Sequence, residues 1–166
     1  RPLAEADAGT DEVILPDFCP ETQLPAVREK LRLLLSRGVK RIRVTSVYGF
    51  SLLRGVRGIT ITAAFSLPAC NSLAVRELLD QGASKVQAWP ELDRAALAAL
   101  LERAKCALEV YTFGRPPLLT TRAMPAVMGP VTDGRGLAFE IVREEGVVRL
   151  YAEQAFRIPG PDGVST

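Results

Sequence analysis

Short apolar runs along the chain alternate with stretches in which apolar residues recur every three or four positions. The runs have the length of buried strands, and the longer stretches have the period of amphipathic helices. We predict strands at residues 13–15, 41–47, 59–65, 85–88 and 108–111. Helices are predicted to begin near residues 24, 72 and 94, with a further helical turn at 50–53. The alternation indicates an α/β fold of parallel β-α units, either a doubly wound sheet or part of a TIM-type (β/α) barrel.

The pattern changes after Arg115. Residues 116–137 are rich in Pro, Gly and Thr, which predicts a long excursion over the surface. Two alternating runs on either side of Glu144-Glu145-Gly146 then predict a C-terminal antiparallel β-hairpin. We therefore divide the chain into an acidic lead-in at 1–12, a β-α repeat at 13–115, the excursion with its hairpin at 116–158, and a flexible tail at 159–166.

Polar side chains gather where the predicted strands end. Ligands of parallel α/β folds bind at the carboxyl ends of the strands, so these side chains are candidates for a site. We expect substrate binding by Asn71, Ser72, Glu91 and Arg115, and Glu91 and Arg115 are also the candidates for catalysis. The alternative is that strand ends are polar because they meet water, with Glu91 and Arg115 forming a structural ion pair.

Arg115 lies in the most constrained part of the sequence. Gly114 permits a tight bend before it, while Pro116 and Pro117 fix φ and lack backbone donors after it. An arginine held at such a junction is suited to a carboxylate, a phosphate or a phenolate. We therefore expect Arg115 to bind an anionic group of a ligand at the mouth of the sheet.

The composition excludes several kinds of site. The 166 residues include no histidine, which excludes Ser-His-Asp and Cys-His catalysis and imidazole metal ligands. Cys19, Cys70 and Cys106 are far apart in the sequence and indicate free thiols in a reducing cytoplasm, so no metal site is expected. No apolar run reaches the ~20 residues of a membrane span, so no membrane association is expected.

The net charge of +2 is unevenly distributed. Residues 28–57 contain nine Lys and Arg residues against a single acid, Glu29. A basic segment of this kind attracts RNA or an anionic ligand. The alternative is a solvated outer helix face together with basic strand ends.

Four segments occur in a characteristic order and spacing. They are NSLA at 71–74, AWPEL at 88–92, EVYTFGRPPL at 109–118 and VTDGRGLAF at 131–139. Together they resemble motifs of the peptidase U32 family, the collagenase-like proteins. The resemblance covers most of residues 13–155 and implies a TIM-type barrel of which this chain would be the second half. The other half would then come from another segment or from a homo-oligomer.

The resemblance also implies an activity, either proteolysis or oxygen-independent hydroxylation of quinone precursors or RNA bases. Several family members carry a four-cysteine iron–sulfur cluster, but Met124 stands here where they often have a cysteine. A thioether does not replace a thiolate in such a cluster, so no cofactor is expected in this chain. We expect a divergent or partial U32-like protein of the bacterial cytoplasm that binds an anionic ligand. The alternative is a non-catalytic module that completes a barrel with another segment or subunit.

Overall fold

The described residues divide into two units that each pack around their own strands. A computed structural model describes residues 1–7, 9–104 and 108–157. The first unit comprises Arg1–Val110, and the second comprises the described residues from Tyr111 onward. The division falls between the parallel and the antiparallel parts of the chain.

A parallel sheet of five strands forms the first unit, and its strand order follows the chain order. The strands are β1 Glu12–Ile14, β2 Arg41–Val44, β3 Thr60–Ala63, β4 Lys85–Gln87 and β5 Leu108–Glu109. Val13 pairs with Ile42, which pairs with Ile61 in turn. A doubly wound sheet would reverse its strand order at a switch point, whereas this sheet proceeds in one direction throughout. The fold is therefore α/β with the sheet of a partial TIM-type barrel.

Four α-helices follow the first four strands in β-α order. They are α1 Leu24–Ser36, α2 Tyr48–Leu53, α3 Ser72–Asp80 and α4 Arg94–Ala104. Two short 3₁₀ helices, Leu3–Glu5 and Glu21–Gln23, precede α1. The helix starts at residues 24, 72 and 94 confirm the sequence periodicity. Among the described residues, no helix is both long and apolar enough to cross a membrane.

The core of the first unit lies between the helices and one face of the sheet. Alternation along β2 buries Ile42 and Val44 completely, and Val13 of β1 and Val86 of β4 point to the same side. Each helix adds apolar residues to this cluster, at Leu31, Leu34, Phe50, Leu53, Val75, Leu78, Leu97 and Leu100. Since all four helices pack on this face, the polar positions of the strands point to the other face.

The second unit is antiparallel. Strands β7 Leu119–Thr121, β8 Gly129–Thr132, β9 Ala138–Glu144 and β10 Val147–Ala152 form a sheet in the order β7-β10-β9-β8. The shorter strands β6 Phe113–Gly114 and β11 Phe156–Arg157 pair with each other. Glu145 and Gly146 both have positive φ, as a two-residue hairpin turn requires, and this confirms the predicted hairpin.

Residues 116–137 differ from the excursion that their composition predicts. Two short strands, β7 and β8, form within them and flank the hairpin on its two sides. Pro130 lies in β8, which is an edge strand and tolerates a residue without a backbone donor. Strands of this kind form because the longer hairpin provides a template, so local composition does not reveal them. The predicted tail at 159–166 lies outside the described residues.

Candidate functional site

The sheet face opposite the helices is polar and charged. Alternation places Glu12 of β1, Arg43 of β2, Thr62 of β3, Gln87 of β4 and Glu109 of β5 on this face. The interior of a TIM barrel is usually filled by branched apolar side chains. A charged face in that position is therefore the first candidate for a functional site.

Three of these side chains form a continuous ion network. Nε of Arg43 donates to Oε2 of Glu12 at 3.0 Å, and Nη2 donates to Oε1 at 3.2 Å. Nη1 of Arg43 donates to Oε2 of Glu109 at 2.9 Å. The side chains of Arg43, Glu12 and Glu109 are 19%, 27% and 33% exposed, so the network is partly buried.

The contact between Arg43 and Glu109 shows that this face is concave. Arg43 is on β2 and Glu109 is on β5, and two strands separate them in the sheet. At about 4.8 Å per strand, the two backbones of a flat sheet would be roughly 14 Å apart with their side chains parallel. The side chains meet because the sheet curls toward this side, as the sheet of a barrel does. We call the surface formed by Glu12, Arg43, Thr62, Gln87 and Glu109 the concave face.

The network keeps Arg43 charged. Burial by itself lowers the pKa of the guanidinium, but the hydrogen bonds that Arg43 donates to Glu12 and Glu109, together with their negative charges, outweigh burial and raise the pKa above its ordinary value. Two carboxylates share this one guanidinium, so the network carries one surplus negative charge. It can therefore accept hydrogen bonds or attract a cation, and Arg43 has no net charge left for an anion.

At the carboxyl edge of the sheet, side chains form hydrogen bonds to backbone groups at the end of a neighbouring strand. Thr45 Oγ1 donates to the carbonyl of Leu15 at 2.9 Å, and Ser66 Oγ donates to the carbonyl of Thr45 at 2.7 Å. Gln87 Oε1 accepts from the backbone N–H of Phe65 at 3.1 Å. These bonds satisfy backbone groups where strand pairing stops, which is a structural role.

Asn71 caps the helix α3. Its Oδ1 accepts from the backbone N–H groups of Leu73 at 3.1 Å and Ala74 at 2.9 Å, so two donors of the helix N-terminus are satisfied within the chain. Asn71 and Ser72 also line a cleft of about 210 Å³ between α3 and α4, which includes Cys70 and Arg103. The structure thus places these two predicted residues together, on the helix side of the sheet and away from the concave face.

Glu91 lies in the turn between β4 and α4, where it is exposed. The helix α4 that follows is capped by Asp93, whose Oδ1 accepts from the backbone N–H of Ala96 at 2.7 Å. Trp89, which precedes this turn, is half-buried at the end of β4. Glu91 and Trp89 therefore belong to the carboxyl edge, as the sequence predicts.

Arg115 belongs to the second unit, where it is held by three groups. Its Nε donates to the carbonyl of Ala152 at 2.6 Å, and its Nη2 donates to Glu140 Oε2 at 2.9 Å. The guanidinium also lies 5.7 Å from the centre of the Tyr151 ring, within the range of a cation–π contact. The described ion pair of Arg115 is thus with Glu140, and Glu91 belongs to the other unit.

Several cations of the basic segment 28–57 are already bonded within the chain. Arg32 pairs with Glu29, Arg41 with Asp11, and Lys30 donates to the carbonyl of Ala4. Arg43 belongs to the concave face. The positive charge that the sequence assigns to this segment is therefore partly neutralised.

The described residues contain no group of three or more Cys, Asp or Glu side chains positioned to hold a metal ion. Cys19 is half-buried, and burial, followed by the charge of Glu21, raises the pKa of its thiol. Cys70 is exposed, whereas Cys106 lies outside the described residues. Met124, at the position where U32 proteins often have a cysteine, is 61% exposed.

The concave face is not predicted from the sequence. Glu12 falls in the acidic lead-in, Arg43 in the basic segment and Glu109 in a predicted buried strand. The available signal was the alternation of Arg41 and Arg43 with Ile42 and Val44, which requires one charged face. The partners of Arg43 are 31 and 66 residues away along the chain, so no local pattern connects them.

Comparison with known proteins identifies a likeness of fold. No family model matches the sequence, and no curated protein matches it. Among solved structures, the chain is similar to the U32 peptidase Mk0906, with a TM-score of 0.50 and 17% identity over 60% of this chain. The match covers 44% of that structure, so the chain spans less than half its length. At this identity the likeness concerns the fold, and it agrees with the partial barrel described above.

Proposed function

We propose that this protein has a U32-like function in which a peptide binds on the concave face of the parallel sheet. The proposal is supported by the charged network of Glu12, Arg43 and Glu109, because branched apolar side chains usually fill the interior of a barrel. The carboxyl end of a parallel sheet is also where (β/α) folds bind ligands. The similarity in fold to a peptidase favours a polypeptide as the ligand.

Trp89 provides a direct test, because it is the only tryptophan and lies at the carboxyl edge of β4. Peptides from gelatin, which is denatured collagen, should change its fluorescence in a saturable manner. An oligouridine RNA of similar length serves as the competing ligand, which the basic segment 28–57 would bind with strong salt dependence. No saturable response to the peptides, or a response to RNA alone, would contradict the proposal.

The anionic ligand expected from the sequence is a separate proposal, which concerns Arg115 of the second unit alone. It is supported by the 36% exposure of the Arg115 side chain, although Glu140 and Ala152 already occupy two of its nitrogens. Inorganic phosphate and citrate are suitable probes for chemical-shift mapping of the backbone amides. Equal shifts in the wild type and in Arg115→Lys, which keeps the charge but loses the planar guanidinium, would argue against a specific role.

A non-catalytic assembly module is the second candidate function, and the edge of β5 favours it. Among the described residues, β5 pairs with β4 alone, while the edge of β1 is joined by Pro2 at Ile14. An open edge of a parallel sheet is a site where a further strand adds. Sedimentation should then show a concentration-dependent homo-oligomer. A monomer at all concentrations that binds gelatin peptides would favour the first candidate.

A further inference from the structure

The ion network on the concave face has an incomplete charge balance. Arg43 contributes one positive charge, and Glu12 and Glu109 contribute two negative charges. All three side chains are at most one-third exposed, so water compensates the surplus charge only in part. The other cations of this face, Arg41 and Lys85, lie at the amino ends of their strands, so a cation bound near the carboxyl end would complete the balance of the network.

Glu109 is the carboxylate that has capacity left for a ligand. Glu12 uses both of its oxygens in bonds to Arg43. Glu109 contacts Arg43 through Oε2 alone, and it is also the more exposed of the two. An ionised carboxylate accepts about four hydrogen bonds, so most of the acceptor capacity of Glu109 is unused by Arg43.

The position of Glu109 on the sheet separates it from the other cations of the same face. Glu109 ends β5 and pairs in register with Gln87. Arg41 and Lys85 begin β2 and β4, at the amino ends of the strands, and both are exposed. Glu109 is therefore the charged group of this face nearest the carboxyl edge, where (β/α) folds bind ligands.

We infer that Glu109 binds the ammonium or guanidinium group of a lysine or arginine side chain in the ligand, with Arg43 as its positioning residue. This inference rests on the proposed function, and it adds the class of peptide that the concave face selects. Arg43 holds one oxygen of Glu109 and directs the carboxylate across the face. Glu109 then forms a charge-assisted bond with a cationic side chain, whereas an acidic side chain at the same position is repelled by the carboxylate.

The test compares three small probes that differ in charge: the N-acetyl amides of arginine, norleucine and glutamate. Each is titrated into the full chain while backbone amide shifts are recorded. The arginine derivative should shift the amides of Gln87, Glu109 and Val110, and the other two should bind roughly tenfold more weakly, the cost of one charge-assisted bond. Equal shifts from all three probes on the wild-type chain would show that charge does not determine binding, and would overturn the inference.

Two variants localise the effect. Glu109→Gln keeps the size and loses the charge, and it should reduce the affinity for the arginine derivative roughly tenfold. Glu102→Gln, at an exposed position of α4, is the matched control and should bind as the wild type does. If gelatin peptides bind but charge has no influence, this inference fails while the proposed function holds. If the arginine derivative binds at Glu109 but no peptide binds, the proposed function fails instead.

Discussion

At the scale of single residues, the burial of a charged side chain determines how strongly it affects the stability of the protein. Arg43 lies between two carboxylates on a partly buried face, while Arg41, two positions earlier on the same face, is exposed. A charge that is removed from water costs stability unless its partners stay in place. The same residue type therefore has different energetic consequences at these two positions.

Replacement of Arg43 by methionine should destabilise the first unit. Glu12 and Glu109 would then share a partly buried face without a counter-charge, at a cost of roughly 2–4 kcal/mol in the free energy of unfolding. Urea denaturation followed by Trp89 fluorescence measures this cost. Arg41→Met is the matched control and should cost less than about 1 kcal/mol, because its ion pair is exposed. A similar loss in both variants would refute the structural role of the network.

Tyr151 should titrate at an unusually alkaline pH. Burial raises the pKa of its phenol above the ordinary 10.0, and the hydrogen bond and charge of Glu144 raise it further, while Arg149 opposes them. Because the folded pKa is the higher one, the associated stability is complete below pH of about 10 and is lost as the pH rises through the folded value. Tyrosinate absorbance, compared between the wild type and Tyr151→Phe, measures the titration. Glu144→Gln should shift it to lower pH, and no change would contradict the assignment.

At the scale of helices and strands, the capping of α3 explains why Asn71 resembles a site residue in the sequence. A polar residue at the end of a parallel strand is often also the first residue of the next helix. Asn71 satisfies two backbone donors of α3, and Asp93 satisfies one of α4. The sequence favours Asp93 as the cap of α4, as observed, but Ser72 as the cap of α3, one residue after the actual cap, because Asn, Ser and Asp are all preferred N-cap residues.

Substitutions at Asn71 separate capping from ligand binding. Asn71→Ala should lower the free energy of unfolding by about 1 kcal/mol, since the cap is lost. Asn71→Asp should retain the stability, because aspartate accepts the same two bonds. Thermal denaturation followed by circular dichroism measures both variants. If alanine and aspartate cost equally, the cap does not contribute as the structure indicates.

Some antiparallel strands of the second unit can be predicted from the sequence pattern, and others cannot. The hairpin of β9 and β10 has regular alternation and a turn with positive φ at Glu145 and Gly146, so the sequence predicts it. Strands β7 and β8 have three and four residues, too few for a clear period. Their formation depends on backbone bonds to the hairpin, which are contacts between distant parts of the chain.

At the scale of the whole molecule, the chain consists of two compact units with different sheet types. Gly114, the residue before Arg115, belongs to the second unit and has a φ of +135°, which is unfavourable for other residues. A Cβ atom at this position would lie 2.5 Å from Oη of Tyr111, which is also in the second unit. Strain introduced here acts first on the antiparallel part of the protein.

Gly114→Ala should therefore destabilise the second unit by roughly 1–3 kcal/mol. Trp89 fluorescence reports on the first unit, and the ring-proton NMR signals of Tyr151 report on the second. We expect the variant to shift the unfolding transition at Tyr151 more than the transition at Trp89. Gly134→Ala, at a glycine with open space around it, is the matched control and should change neither. Equal shifts at both probes would show that the two units unfold as one.

By itself, the sequence determined the order and type of the β-α elements, the hairpin and the cap of α4. These features depend on local periodicity and on residues within a few positions of one another, so they can be predicted from short stretches of the sequence. The structure placed Arg115 against Glu140 and joined Glu12, Arg43 and Glu109 across the concave face. Only the tertiary structure decides such pairings, because they depend on strand order, register and sheet curvature, which bring together charges separated by 25 to 66 residues.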